Sequence, residues 1–175
     1  MANEKPLHAG FLRFVGSLAF GLCLIGMPAK AHAANNCPWL NEATASGFLG
    51  GDATGAFTAA DGQPSVCTFT NRDAGATRVL QITVEIAAEP HALLTTAARA
   101  CGADIAPIGA IGNEAMMCSL TERKGELGER VVGRVRNQVF TIVFSSTLKD
   151  DPILTRDALR VRGYTAAEQV AGNLF

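Results

Sequence analysis

The chain has 175 residues, with 48% apolar side chains, 18% charged ones and a formal charge of −1. That near-neutral balance, without clustered Lys and Arg, argues against nucleic acid, because phosphate-tracking surfaces need concentrated positive charge. Length and apolar content together provide for one domain with a proper core.

The first residues read as an address. Lys5, His8 and Arg13 precede an uncharged apolar run at residues 14–27, and Ala31-His32-Ala33 then supplies a small-x-small pattern. This order is that of a secretory signal peptide. As a helix the run of 14 residues reaches roughly 21 Å, short of a hydrocarbon core roughly 30 Å thick. We therefore expect residues 1–33 to be a signal peptide, cleaved after Ala33, and residues 34–175 to be a single domain in the periplasm or outside the cell. Residues 1–33 hold three of the 15 basic and one of the 16 acidic side chains, which leaves a formal charge of −3 on the remainder. No later apolar run is long enough to cross a bilayer, so no membrane span is expected after cleavage.

Cys23 departs with the signal peptide. Cys37, Cys67, Cys101 and Cys118 remain, an even set in an exported chain, which predicts two disulfides. Three pairings are open; closure between near neighbours favours Cys37–Cys67 and Cys101–Cys118. The spacings lack the close pairs of a zinc site, so no metal is expected.

Downstream, Asn41 caps a helix from Glu42 to Leu49 that Gly50-Gly51 ends. Residues 52–64, rich in Gly, Asp and Ala, read as a loop. Val66 to Thr70 is a strand, and residues 71–76 a turn. Leu80, Ile82, Val84 and Ile86 then alternate with polar partners, the pattern of a strand with one buried face. Pro90 opens a helix and Gly102 closes it, with Leu94, Ala97, Ala98 and Cys101 on one apolar face. Residues 106–113 read as a loop, and Glu114 to Thr121 as a strand.

Arg130–Arg136 and Gln138–Ser145 form a hairpin near Asn137. Its second arm is apolar on both sides and therefore central. Asp151-Pro152 opens a helix to about Arg162, Gly163 stops it, and Thr165 with Glu168 caps a last short helix. Strands clustered between helices predict an α+β fold: a single antiparallel sheet of about five strands with helices packed on one face. The segments beginning "CTFT" and "CSLT" hint at a degenerate internal duplication.

Catalytic groups are scarce. His91 is the one histidine after residue 33, and it sits in a helix's first turn, where the helix dipole disfavours its charged form. With the cysteines committed to bridges, no thiolate is left. Ser146 and Lys149 match S-x-x-K, but at a strand end and without the companion motifs of penicillin-binding enzymes, so the match reads as chance. Residues 109–112, "GAIG", lack the Lys and the strand-to-helix setting of a phosphate loop. No catalytic residue and no cofactor are expected. Arg134 and Arg136, predicted on a shared strand face and joined by Arg123 or Lys124, form the one basic cluster that reads as a binding surface. Trp39, beside Cys37, is expected to pack over the bridge.

Cys37 with Leu40, a helix ending in Leu49-Gly50, Cys67 with Phe69, Gly112 with Glu114-Ala115 and a closing Ala-rich segment from Ala166 to Phe175 form a set. In these features the chain resembles a group of short exported bacterial proteins and lipoproteins of unknown function, common in actinobacteria. The resemblance implies an exported α+β domain and no catalytic residues. Many of that group carry a lipidation motif that this chain lacks. The expected function is an exported, non-catalytic binding or interaction domain of unknown ligand, with another envelope or extracellular protein as the candidate partner. The alternative is a secreted inhibitor of an envelope or extracellular hydrolase. The hinted duplication and two bridged halves resemble the β-lactamase inhibitory architecture, and an acidic loop tip at Asp52 or Asp61 would favour that reading.

Overall fold

Alternating side chains build the sheet, and the alternation runs further than the clearest stretch of sequence indicates. In the computed structural model, residues 36–73, 75–102, 104–120 and 127–175 are described; the expected signal peptide, Arg123 and Lys124 lie outside them. Among the described residues there are seven strands and three α-helices: α1 (Glu42–Leu49), β1 (Thr54–Thr58), β2 (Ser65–Asp73), β3 (Ala76–Ile86), α2 (Pro90–Ala98), β4 (Ala106–Ile108), β5 (Glu114–Leu120), β6 (Leu127–Val135), β7 (Gln138–Ser146) and α3 (Arg156–Gly172). The strands form one antiparallel sheet in the order β1-β2-β3-β7-β6-β5-β4. The α+β class and the single antiparallel sheet stand, with seven strands in place of about five.

β7 is central because both its faces are apolar. Phe140, Ile142 and Phe144 lie in register with Val84, Ile82 and Leu80 of β3 and with Gly133, Val131 and Glu129 of β6. Their face carries the main core, with α1 and α3 packed on it. Phe48 of α1 meets Phe144 edge-on at 6.1 Å. A second, smaller cluster puts Leu94 of α2 against Val132 and Val139, residues that alternate with the first set and so occupy the opposite face. Helices therefore cover both faces, contrary to the one-face expectation. The halves also do not repeat as units, because α2 and α3 lean on β6 and β7 from opposite sides.

The two added strands are the sheet edges. Each turns only one large apolar side chain inward, Phe57 in β1 and Ile108 in β4, so neither shows the alternation that marks a half-buried strand. The predicted break at Gly163 is overturned: α3 runs through it, capped by the Thr155 hydroxyl, which accepts from the Ala158 N–H at 3.2 Å. Gly163 is buried because the helix approaches the sheet there. A Cβ would stand 3.4 Å from both Met117 Cε and Val131 Cγ2. Asp151-Pro152 forms a turn ahead of the helix, with Asp151 Oδ1 accepting from the N–H groups of Ile153 and Leu154. Thr165 donates to the Val161 carbonyl within α3 and caps nothing.

Both favoured disulfides are present, Cys37–Cys67 and Cys101–Cys118, each with Cα atoms 5.6 Å apart. The first ties the segment before α1 to β2. The second ties the 3-10 turn after α2 to β5, on the face that α2 covers.

Candidate interaction surface

The polar groups with the most constrained geometry are buried. Arg78 of β3 donates through Nε to Asp151 Oδ2 at 2.7 Å and through Nη1 to Asn71 Oδ1 at 3.0 Å. Asn71 donates on to the Asp52 carbonyl. Ser146 Oγ donates to the same Asp151 oxygen at 2.6 Å and is 1% exposed. Burial alone would raise the Asp151 carboxyl, but bonds from Arg78, Ser146 and two backbone N–H groups outweigh it and hold the carboxyl well below its ordinary range. The serine of the S-x-x-K match thus has its proton bound to a buried carboxylate and has no solvent face. The network joins β2, β3, β7 and the turn before α3.

The expected Arg134 and Arg136 surface divides. Arg134 lies on β6 and donates through Nε to Glu114 Oε1 at 2.7 Å; His91 Nδ1 stands 3.1 Å from the same oxygen. Hydrogen bonds from His91 and then Arg134 lower the Glu114 carboxyl against a modest desolvation. β6 ends at Val135, so Arg136 leaves the strand and the predicted shared face is lost. The two arginines remain neighbours, with Arg134 Nη1 donating to the Arg136 carbonyl at 3.0 Å.

Arg136 takes a positive φ of 55° in a two-residue hairpin turn, with Val135 paired to Gln138. Side chains other than glycine's rarely adopt that backbone. Asn113 Oδ1 accepts its N–H at 2.6 Å, and its guanidinium lies 5.7 Å from the centroid of the Phe175 ring. Gln138 Nε2 donates to the Leu174 carbonyl and is in register with Ile86. Ile86, Arg136 and Phe175 therefore gather at one end of the sheet. Ile86 is 73% exposed and Phe175 63%.

A shallow cavity of about 460 Å³ adjoins this end, with Trp39, Asp61, Val84, Ile86 and Gln138 in its wall. Trp39 is buried and meets Phe57 edge-on at 6.0 Å, and its carbonyl accepts from Asn173 Nδ2 at 3.0 Å. Its indole therefore packs on Phe57 of β1 within the main core. Asp61 is exposed in a turn closed by Gln63 N–H to the Ala60 carbonyl, at 3.0 Å. Asp52 is also exposed, but its segment is tied down: the Ala53 N–H donates to Ser46 Oγ at 2.9 Å.

Comparison with protein-family models, with curated proteins and with solved structures finds no match. The site therefore rests on its own geometry. Among the described residues no three His, Cys, Asp or Glu side chains gather as a metal site, and no helix is long and apolar enough to cross a membrane.

Neither Ile86 nor Phe175 is legible in the sequence as a surface residue, for separate reasons. Ile86 continues the buried alternation of β3 but lies past the cover of the helices. Phe175 ends an Ala-rich segment that reads as core. Arg136 is exposed, as expected from the sequence, but in a turn and not on a strand.

Proposed function

We propose that this chain is an exported, non-catalytic binding domain that engages another envelope or extracellular protein through Ile86, Arg136 and Phe175. The observation that carries the reading is the pair of exposed large apolar side chains with Arg136 held over one of them in an unfavourable backbone conformation. Protein-binding centres are enriched in aromatic residues and arginine. Backbone strain tends to be retained where it positions a functional group. Two disulfides fit an oxidising compartment, and the signal peptide expected at residues 1–33 supports a periplasmic or secreted location.

The test is affinity capture by the natively exported protein, with mass-spectrometric identification of what is retained. A discrete partner held by the wild type and lost on Ile86→Asp combined with Phe175→Ala supports the reading. Equal retention by both proteins contradicts it.

A second reading, inhibition of an envelope or extracellular hydrolase, is favoured by one feature. Asp61 presents a carboxylate at an exposed turn beside the same cavity. Under this reading the retained partner is a hydrolase whose activity falls on mixing and recovers with Asp61→Ala.

A further inference from the structure

β1 is the outermost strand of the sheet, with β2 on one side and no strand on the other among the described residues. Its sequence, Thr-Gly-Ala-Phe-Thr, holds no charge and no proline, the usual devices that keep an edge from pairing. The Gly55 N–H faces away from β2, because Glu42 Oε1 accepts it at 2.7 Å. Antiparallel ladders alternate, so Gly55 and Phe57 direct their backbone groups outward, while Thr54, Ala56 and Thr58 turn theirs towards Thr70, Thr68 and Val66.

We propose that β1 is a self-pairing edge: two copies join antiparallel about Ala56, and the Glu42 carboxylate competes with the incoming strand for the Gly55 N–H. Centring the two-fold axis on Ala56 sets Gly55 of each copy opposite Phe57 of the other. Those are the outward-facing residues, so each such pair exchanges two N–H···O bonds. Centring on Gly55 or on Phe57 instead carries the other outward residue beyond the five-residue strand. At the axis sits the small side chain of Ala56, where a non-hydrogen-bonded pair brings Cα atoms to about 4.5 Å. Thr54 faces Thr58, a favourable cross-strand pair. Phe57 stays turned into its own core against Trp39, and the Phe69 ring of the same chain already covers Gly55, so the backbone groups alone make this pair. Thr54, Ala56 and Thr58 are exposed, as the pairing requires.

The identical segment thus complements itself, and this makes a second copy the occupant. Glu42 lies at the start of α1, reaches across the edge and occupies one of the two outward N–H donors that a first contact would use. Glu42→Ala removes that competitor, whereas Glu42→Gln keeps an acceptor in its place.

Sedimentation of the exported protein between about 1 μM and 1 mM reads the monomer–dimer balance. Glu42→Ala is expected to lower the dissociation constant by about tenfold or more, with Glu42→Gln nearer to wild type. Adding Ala56→Lys to Glu42→Ala sets like charges opposite one another at the axis and is expected to restore the monomer, with the melting temperature showing that the fold persists. A Glu42→Ala protein that stays monomeric throughout overturns the proposal, as does a dimer indifferent to Ala56→Lys. If instead the Gly55 and Phe57 amides of a monomeric Glu42→Ala protein gain exchange protection from an added envelope extract, the edge belongs to a foreign strand and self-pairing is overturned.

Discussion

Arg78 and Asp151 lie 73 residues apart in the chain and meet at 2.7 Å with both side chains removed from solvent. The pair is enclosed by Asn71, Ser146 and the backbone of Ile153 and Leu154, so each charge has further hydrogen bonds. Arg78→Ala leaves the carboxylate buried and unpaired. The expected loss is about 3–5 kcal/mol of folding stability, read from urea unfolding. A loss within experimental error would show that the network is not a support of the fold.

Three carboxyls set the pH dependence of stability, two in one direction and one in the other. Asp151 is held below its ordinary value of 3.8, so its contribution is full above that value and is lost as pH falls below it. Glu114, also lowered, acts in the same direction. Glu129 is raised above 4.5 by burial, against a bond from Ser119 and the charges of Arg160 and Arg156. The folded state therefore favours its protonated form, and stability gained at low pH is lost as pH rises through the raised value. The melting temperature should climb as pH falls through the raised Glu129 value and decline again as pH falls below the ordinary values of Asp151 and Glu114. Glu129→Gln should flatten the upper limb and leave the acid limb in place.

Gly163 sets how closely α3 approaches the sheet. Gly163→Val drives two methyl groups towards Met117 and Val131, which stand at contact distance already. The expected loss is about 1–3 kcal/mol in chemical denaturation. Gly163→Ala should fall well short of that, because one methyl asks only a small shift of two flexible side chains and gains helix propensity in return. Equal losses for the two variants would place the constraint elsewhere.

Arg136 separates fold from binding. Arg136→Gly relieves the left-handed backbone and should stabilise the protein by about 1 kcal/mol, less whatever the contact with the Phe175 ring contributed. Partner retention should fall at the same time. A melting temperature that drops would mean that the turn does not store strain.

Much of the fold was legible because periodicity reports burial. β3, the α2 face aimed at Cys101 and the β6–β7 hairpin follow from spacing, and for the disulfides spacing favours the observed pairing among three that it leaves open. The failures come from tertiary contacts that single positions do not announce. β1 and β4 are strands because a neighbour supplies their hydrogen bonds, and their small residues carry no pattern. Gly163 looks like a stop until a sheet is placed against it. Leu94 predicts an apolar helix face but not which side of the sheet receives it. At the site, Arg136 was recognisable as an exposed cation. Its partner Phe175 was not, since the contact joins a turn to the carboxyl terminus.

The central claim is that the Ile86–Arg136–Phe175 end meets a protein partner. A photo-crosslinking amino acid placed at position 175, and separately at the exposed position 168 on α3, tests it in intact cells. The expected result is a discrete crosslinked species from position 175 that disappears with Ile86→Asp, and none from position 168. No adduct from position 175, or the same adducts from both positions, would contradict it.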